Sequence, residues 1–143
     1  MLKFICLGSG SSGNSYFLFS ENYGILIDAG IGIRTLKKHF HTYGLSLKQI
    51  KAVLITHDHA DHIKAVGSLA NEYGLPVYAT ELVHDGIKRN YCANPKLKAE
   101  NIHMYCFVFP PLSLVYSLSV IRLAREAMSV PVPPIFTPKS SSR

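Results

Sequence analysis

The chain has 143 residues, 48% hydrophobic and 17% charged, which excludes a chain that is disordered throughout and suits one domain with a buried core. Three widely spaced cysteines exclude a disulfide framework and a paired Cys-x-x-Cys zinc site. The net charge of +6 includes no long basic block, so charge alone indicates no partner. The cysteine usage and the absence of a secretory pattern at the N-terminus favour the cytoplasm.

The first motif is LGSGSSGNSYFLF, residues 7–19, in which Gly8, Gly10 and Gly13 match the G-x-G-x-x-G spacing of a dinucleotide-binding turn. Such a turn needs a helix that begins at the third glycine. Three strands are predicted here instead, at residues 3–7, 15–20 and 24–28. A hairpin therefore follows the glycines, and no dinucleotide cofactor is expected.

Helices and strands alternate after this hairpin. The predicted order is a helix from Ile33 to Tyr43, a strand over 51–56, a helix over 62–73, a strand over 76–79 and a helix over 81–91 with Thr80 as its N-cap. This alternation predicts an α/β layered domain.

The composition changes near residue 104. The stretch MYCFVFPPLSLVYSLSVI, residues 104–121, carries no charge and contains Pro110-Pro111. A proline pair makes a poor membrane span, so no membrane association is expected. A natural but unusual tail is one alternative. A frame-shifted or truncated product is the preferred explanation for residues 104–143.

The strongest motif is LITHDHADHI, residues 54–63, in which His57, His59, Asp61 and His62 follow a buried strand. Imidazole and carboxylate ligands suit zinc, with manganese or iron as alternatives. Four ligands within six residues cannot easily all bind one ion at tetrahedral angles. A pair of divalent ions divides them naturally, and we predict such a pair.

The spacing assigns His57 and His59 to one ion and Asp61 and His62 to the other. Asp61 is also the candidate catalytic residue, because a carboxylate there can orient the nucleophile or accept its proton. Asp58 matches no ligand position and is expected to be a solvated carboxylate or one that supports a ligand. A hydroxide that bridges the two ions is the expected nucleophile.

These residues resemble the N-terminal half of a metallo-β-lactamase-fold hydrolase over residues 1–103, because His57-x-His59-x-Asp61-His62 matches the first metal motif of that superfamily. The segments LGSGSSGNSYF, ILIDAG and PVYATE are similar to its YycJ-like (WalJ-like) branch. The resemblance implies half of a four-layer αββα sandwich and a metal-dependent hydrolase, with DNA exonuclease activity.

Two further groups of residues are candidates for supporting this chemistry. Asp28, at the end of its strand, is either a partner that fixes the tautomer of a ligand histidine or a buried turn-capping residue. Gly10, Ser11 and Asn14 either face a substrate phosphate through backbone amides or form a plain tight turn.

The resemblance also implies further metal ligands from the second half of the fold, yet no His or Asp follows residue 103. His84 is predicted to be a partly exposed helix residue and His103 a surface-loop residue, so neither replaces them. The alternative hypothesis is therefore a catalytically incomplete fragment. A half sandwich would also expose an apolar sheet face and favour oligomers or aggregation.

Overall fold

The computed structural model describes residues 1–21, 23–93 and 95–104, all within a compact unit that spans Met1–Phe107. Within that described part, no helix is long and apolar enough to cross a membrane. The predictions for residues 105–143, including the frame-shifted tail, lie outside the described residues.

One mixed sheet organises the described residues. Its six strands are β1 (Lys3–Gly8), β2 (Ser15–Phe19), β3 (Gly24–Ile27), β4 (Ile50–Leu54), β5 (Val77–Ala79) and β6 (Ile102–Met104), which lie side by side in chain order. The pairs β1–β2 and β2–β3 are antiparallel, and the pairs from β3 to β6 are parallel. The predicted hairpin after the glycines is therefore confirmed, because β2 begins two residues after Gly13 and pairs antiparallel with β3.

Helices connect the parallel strands. They are α1 (Ile33–Thr42), α2 (Ala60–Ile63), α3 (Val66–Tyr73) and α4 (Glu81–Arg89), with short 3-10 turns at Leu47–Gln49 and Ala99–Asn101. The predicted N-cap of α4 is confirmed, because Thr80 Oγ1 accepts a hydrogen bond from Val83 N at 3.4 Å.

The prediction of one helix over 62–73 was wrong, since α2 ends at Ile63 and α3 begins at Val66. At this break the amide of Ala65 donates to Ala29 O at 2.8 Å. The helical acceptor for Ala65 would be Asp61 O, but Asn14 N donates to that oxygen at 2.7 Å. Contacts with neighbouring segments therefore replace the regular helical bond.

The helices cover one face of the sheet, as expected when successive parallel crossovers share one hand. Phe17, Leu26, Val53 and Val77 are paired across four neighbouring strands and are fully buried. The helices contribute Leu36, Phe40, Val66, Leu69 and Ile87 to the same core. We call this the covered face of the sheet.

The opposite face is called the open face. Strand alternation and register assign to it Phe4, Cys6, Tyr16, Leu18, Ile25, Ile27, Ala52, Leu54, Tyr78 and His103. Phe4, Ile25 and Tyr78 are 60%, 44% and 37% exposed. The described residues thus form one sheet with one helical layer, which confirms the α/β class and corresponds to part of the four-layer sandwich.

Candidate metal centre

The candidate site lies at the carboxyl ends of β3 and β4. Asp28 directly follows β3, and Thr56 and His57 come two and three residues after β4. The carboxyl ends of adjacent parallel strands meet at one edge of a sheet, where α/β proteins commonly bind ligands. The topology therefore places Asp28 beside the histidine motif, although 28 residues separate it from Thr56 in the sequence.

Asp28 is held in a strained and buried position. Its φ of 58° lies in the left-handed region, and the residue is only 3% exposed. Its Oδ1 accepts from Thr56 N at 2.8 Å, and Thr56 Oγ1 lies 2.8 Å from its Oδ2. These bonds hold the carboxylate in one orientation.

That orientation directs Asp28 at the His62 ring, whose Nδ1 lies 2.8 Å from Asp28 Oδ2. An ionised carboxylate only accepts hydrogen bonds, so Nδ1 carries the proton. The lone pair of neutral His62 is then at Nε2, the atom available to a metal ion. This contact is the one expected of a partner that fixes a tautomer, and its role in metal binding stays a prediction.

The first turn of α2 brings Asp61 and His62 together. Asp61 Oδ2 lies 3.6 Å from His62 Nε2. Two ligand atoms about 2.1 Å from a tetrahedral ion would be roughly 3.4 Å apart. The donor types and their separation therefore fit a divalent ion held between these two side chains.

His57 and His59 pack beside this pair without converging on one point. The ring centroids of His57 and His62 are 3.7 Å apart, and those of His57 and His59 are 4.7 Å apart in an edge-on contact. Across residues 1–21, 23–93 and 95–104, no three His, Cys, Asp or Glu side chains are grouped so as to hold one ion. The structure thus brings the four predicted ligands into one cluster, whose division between two ions stays a prediction.

The glycine loop reaches the cluster through Asn14. Asn14 Nδ2 lies 3.0 Å from Asp61 Oδ2 and 3.1 Å from His62 Nε2. Gly10 has a φ of 137°, a conformation that favours glycine. Ser11 is exposed in the turn, and its predicted contact with substrate stays a prediction.

The Asp58 side chain packs on α4. A Cβ added at Gly86 would lie 1.8 Å from Asp58 Oδ2. Helix α4 can therefore pack this closely against Asp58 only because residue 86 is a glycine. Asn90 Nδ2 also donates to Asp58 O at 2.9 Å. Asp58 is half-buried, and its position links the histidine loop to α4.

The prediction of a partly exposed His84 was wrong, because it is 2% exposed. Its Nε2 lies 3.0 Å from His103 O, and this contact with β6 holds the imidazole inside the fold. His103 lies in strand β6 rather than in a loop, although its side chain is exposed as expected.

Thr56 is a component of the site that the sequence reasoning missed. The position of Thr56 between a buried strand and His57 could have indicated a role in the site. Threonine is common in strands, however, and matches no pattern of metal ligands. Its Oγ1 lies 3.0 Å from His57 Nδ1 as well as close to Asp28. Thr56 therefore connects the strained aspartate to the first histidine of the motif.

Residues 8–105 match the family model described as the metallo-beta-lactamase superfamily. The chain therefore belongs to this superfamily, whose fold implies divalent metal ions.

Among its relatives, the chain is 40% identical over 80 residues to a protein of Bacillus anthracis called exodeoxyribonuclease YycJ, covering 56% of this chain and 30% of the relative. It is 40% identical over 79 residues to exodeoxyribonuclease WalJ of Streptococcus pneumoniae, covering 55% and 29%. The solved structure of the Rm3 metallo-beta-lactamase superposes with a TM-score of 0.59 at 18% identity, over 72% of this chain and 42% of that one. The matched part is about three tenths of each of the two curated relatives.

Proposed function

We propose that this chain represents a metal-dependent hydrolase of phosphodiester bonds that acts on DNA as an exonuclease. The observation that carries the proposal is the pair Asp61 Oδ2 and His62 Nε2, 3.6 Å apart, with the opposite ring nitrogen of His62 directed at Asp28. Support for DNA as the substrate comes from the relatives that are named exodeoxyribonucleases.

Asp61 and His62 would hold one divalent ion, and His57 and His59 would contribute to a second. Zinc suits imidazole and carboxylate donors best, with manganese or iron as alternatives. Such ions supply an activated water at neutral pH and neutralise charge that develops on a phosphate. Asp28 would keep His62 in the tautomer that leaves Nε2 free, and Thr56 would hold Asp28 in place. Asp61 is the residue proposed to orient the attacking water.

The direct test is hydrolysis of end-labelled linear DNA by the purified chain, with Zn²⁺, Mn²⁺ or Fe²⁺ added after treatment with a chelator. We expect release of mononucleotides from linear DNA and no cleavage of closed circular DNA. His59→Ala should abolish release, whereas the matched control His41→Ala should not, because exposed His41 lies in the last turn of α1.

The alternative is a catalytically incomplete fragment of such a hydrolase. One observation favours the fragment. In residues 1–21, 23–93 and 95–104, no three His, Cys, Asp or Glu side chains are grouped so that they could hold one metal ion. Two tightly held ions per chain, with turnover lost in His59→Ala, would exclude the fragment. Failure of every metal to produce mononucleotides would exclude the exonuclease.

We also propose that copies of this chain associate through the open face. None of the strand positions assigned to that face holds Lys, Arg, Asp or Glu, so two such faces can meet without burying a charge. Strands about 4.8 Å apart and roughly 17 Å long give a footprint near 400 Å² per copy. That size corresponds to a weak dimer.

The cytoplasm is the proposed compartment. Cys6 and Cys92 are free thiols in the structure, which agrees with a reducing environment.

A further inference from the structure

Asn14 makes the contacts that connect the glycine loop to the candidate metal ligands. Its Nδ2 lies 3.0 Å from Asp61 Oδ2, 3.1 Å from His62 Nε2 and 3.0 Å from Gly10 O. In the neutral His62 ring, the Asp28 contact places the proton on Nδ1, and Nε2 is then the acceptor. The two N–H groups of Asn14 Nδ2 are then shared among three acceptors, two of which are the candidate ligand atoms.

The backbone fixes Asn14 in this position. Asn14 N donates to Asp61 O at 2.7 Å, and Gly30 N donates to Asn14 O at 2.9 Å. A Cβ added at Gly30 would lie only 1.6 Å from Asp61 O. The side-chain Oδ1 of Asn14 also accepts from Gly10 N at 3.0 Å. The segments that contain Gly10, Gly30 and Asp61 thus all make hydrogen bonds to Asn14.

The contacts of Asn14 reduce the electrostatic repulsion between Asp61 Oδ2 and the lone pair of neutral His62. A carboxylate oxygen and an imidazole lone pair that face each other 3.6 Å apart repel one another unless a donor or a cation lies between them. The amide of Asn14 provides the donor. Without it, Asp61 is expected to rotate toward solvent, since its side chain is 32% exposed.

We propose that Asn14 is a positioning residue that keeps Asp61 Oδ2 and His62 Nε2 at a chelating separation before a metal ion binds. When an ion takes these two acceptors, Asn14 keeps its hydrogen bonds to Gly10 and releases the other two. The inference rests on the proposed function only in requiring a divalent ion at this pair.

The test is a titration of the metal-free chain with Co²⁺, followed by its visible absorption, for wild type and Asn14→Ala. We expect Asn14→Ala to bind Co²⁺ about 10-fold more weakly, the lower end of the effect for residues that support metal ligands. Asn71→Ala is the matched control, because Asn71 Nδ2 donates to Lys96 O at 2.7 Å in a different part of the fold. Its Co²⁺ affinity should equal that of wild type, and equal affinity in Asn14→Ala would overturn the proposal.

A second measurement uses the wild-type chain and so does not depend on whether a variant folds. In ¹⁵N NMR spectra, saturation with Zn²⁺ should shift the side-chain amide signals of Asn14, because two of its acceptors pass to the ion. The Asn71 amide signals should stay in place. Unchanged Asn14 signals in a chain that has bound Zn²⁺ would contradict the inference.

Neither measurement depends on DNA cleavage. Asn14-dependent metal binding without DNA hydrolysis would overturn the exonuclease proposal and support this one. DNA hydrolysis by the wild-type chain, with Co²⁺ affinity unchanged in Asn14→Ala, would support the exonuclease proposal and overturn the proposal for Asn14. A wild-type chain that binds neither ion would overturn both.

Discussion

The covered and open faces of the sheet differ far more in burial than in composition. On the covered face Phe17, Leu26 and Val53 are fully buried. On the open face Phe4 and Ile25 are 60% and 44% exposed. Both faces are apolar, so the difference comes from the helices that pack against one of them. An apolar strand pattern therefore identifies surface that has to be covered, and it does not identify what covers it.

The two faces also have different relations to the candidate site. The covered face fixes β3 and β4, whose carboxyl ends position Asp28 and Thr56. Among the described residues, no open-face side chain takes part in the hydrogen bonds that hold Asp28, Asn14 or His62. The backbone oxygen of Leu54 does contribute, because it accepts from Asp28 N at 2.8 Å. Substitutions on the covered face should therefore disturb folding and metal binding together. Substitutions on the open face should alter mainly association, with small changes in folding and no loss of metal binding.

The largest effect is expected for Phe17→Ala on the covered face. Phe17 is fully buried, and its ring lies 4.8 Å from that of Phe40 in α1. Removing a buried phenylalanine costs about 3–5 kcal/mol of unfolding free energy. Urea denaturation followed by circular dichroism should show this loss, and a loss below about 1 kcal/mol would contradict the assignment of Phe17 to the core.

A smaller effect, and one of a different kind, is expected for Ile25→Lys on the open face. A buried lysine without a partner opposes association, so sedimentation velocity should show less dimer than in the wild-type chain. The unfolding free energy of the monomer should change by about 0.5 kcal/mol or less, as at other exposed positions. Lys51→Gln is a suitable control, because Lys51 is exposed and lies outside the open-face set. Unchanged dimer content in Ile25→Lys would contradict association through this face.

The sequence was sufficient to predict the order of the elements from β1 to α4, apart from the break between α2 and α3, because hydrophobic periodicity and turn residues are local signals. Strand β6 was not predicted. The sequence was also sufficient to single out Asp28 and the histidine motif, since both follow strands. The break at Ala65 and the burial of His84 could not be predicted. Both depend on acceptors distant in sequence, Ala29 O and His103 O.

Asn14 shows the same limit at the candidate site. The local spacing of Gly10 and Gly13 predicts only that Asn14 belongs to a glycine loop. Its contacts with Asp61 and His62 span 47 and 48 residues, which no periodicity encodes. The prediction that Asn14 faces substrate stays a prediction, and the proposal adds a role in positioning the candidate ligands.

A small effect on stability is expected for Phe4→Ala, the counterpart of Phe17→Ala on the other face of the sheet. Phe4 is 60% exposed and contacts Tyr16 across the β1–β2 pair, with ring centroids 5.9 Å apart. A cross-strand aromatic pair contributes roughly 0.2–1 kcal/mol, so the unfolding free energy should fall by no more than that. Urea denaturation of dilute samples, in which the chain is monomeric, isolates this term from association. A loss close to that of Phe17→Ala would mean that the open face is packed as tightly as the covered one, and the distinction between the two faces would fail.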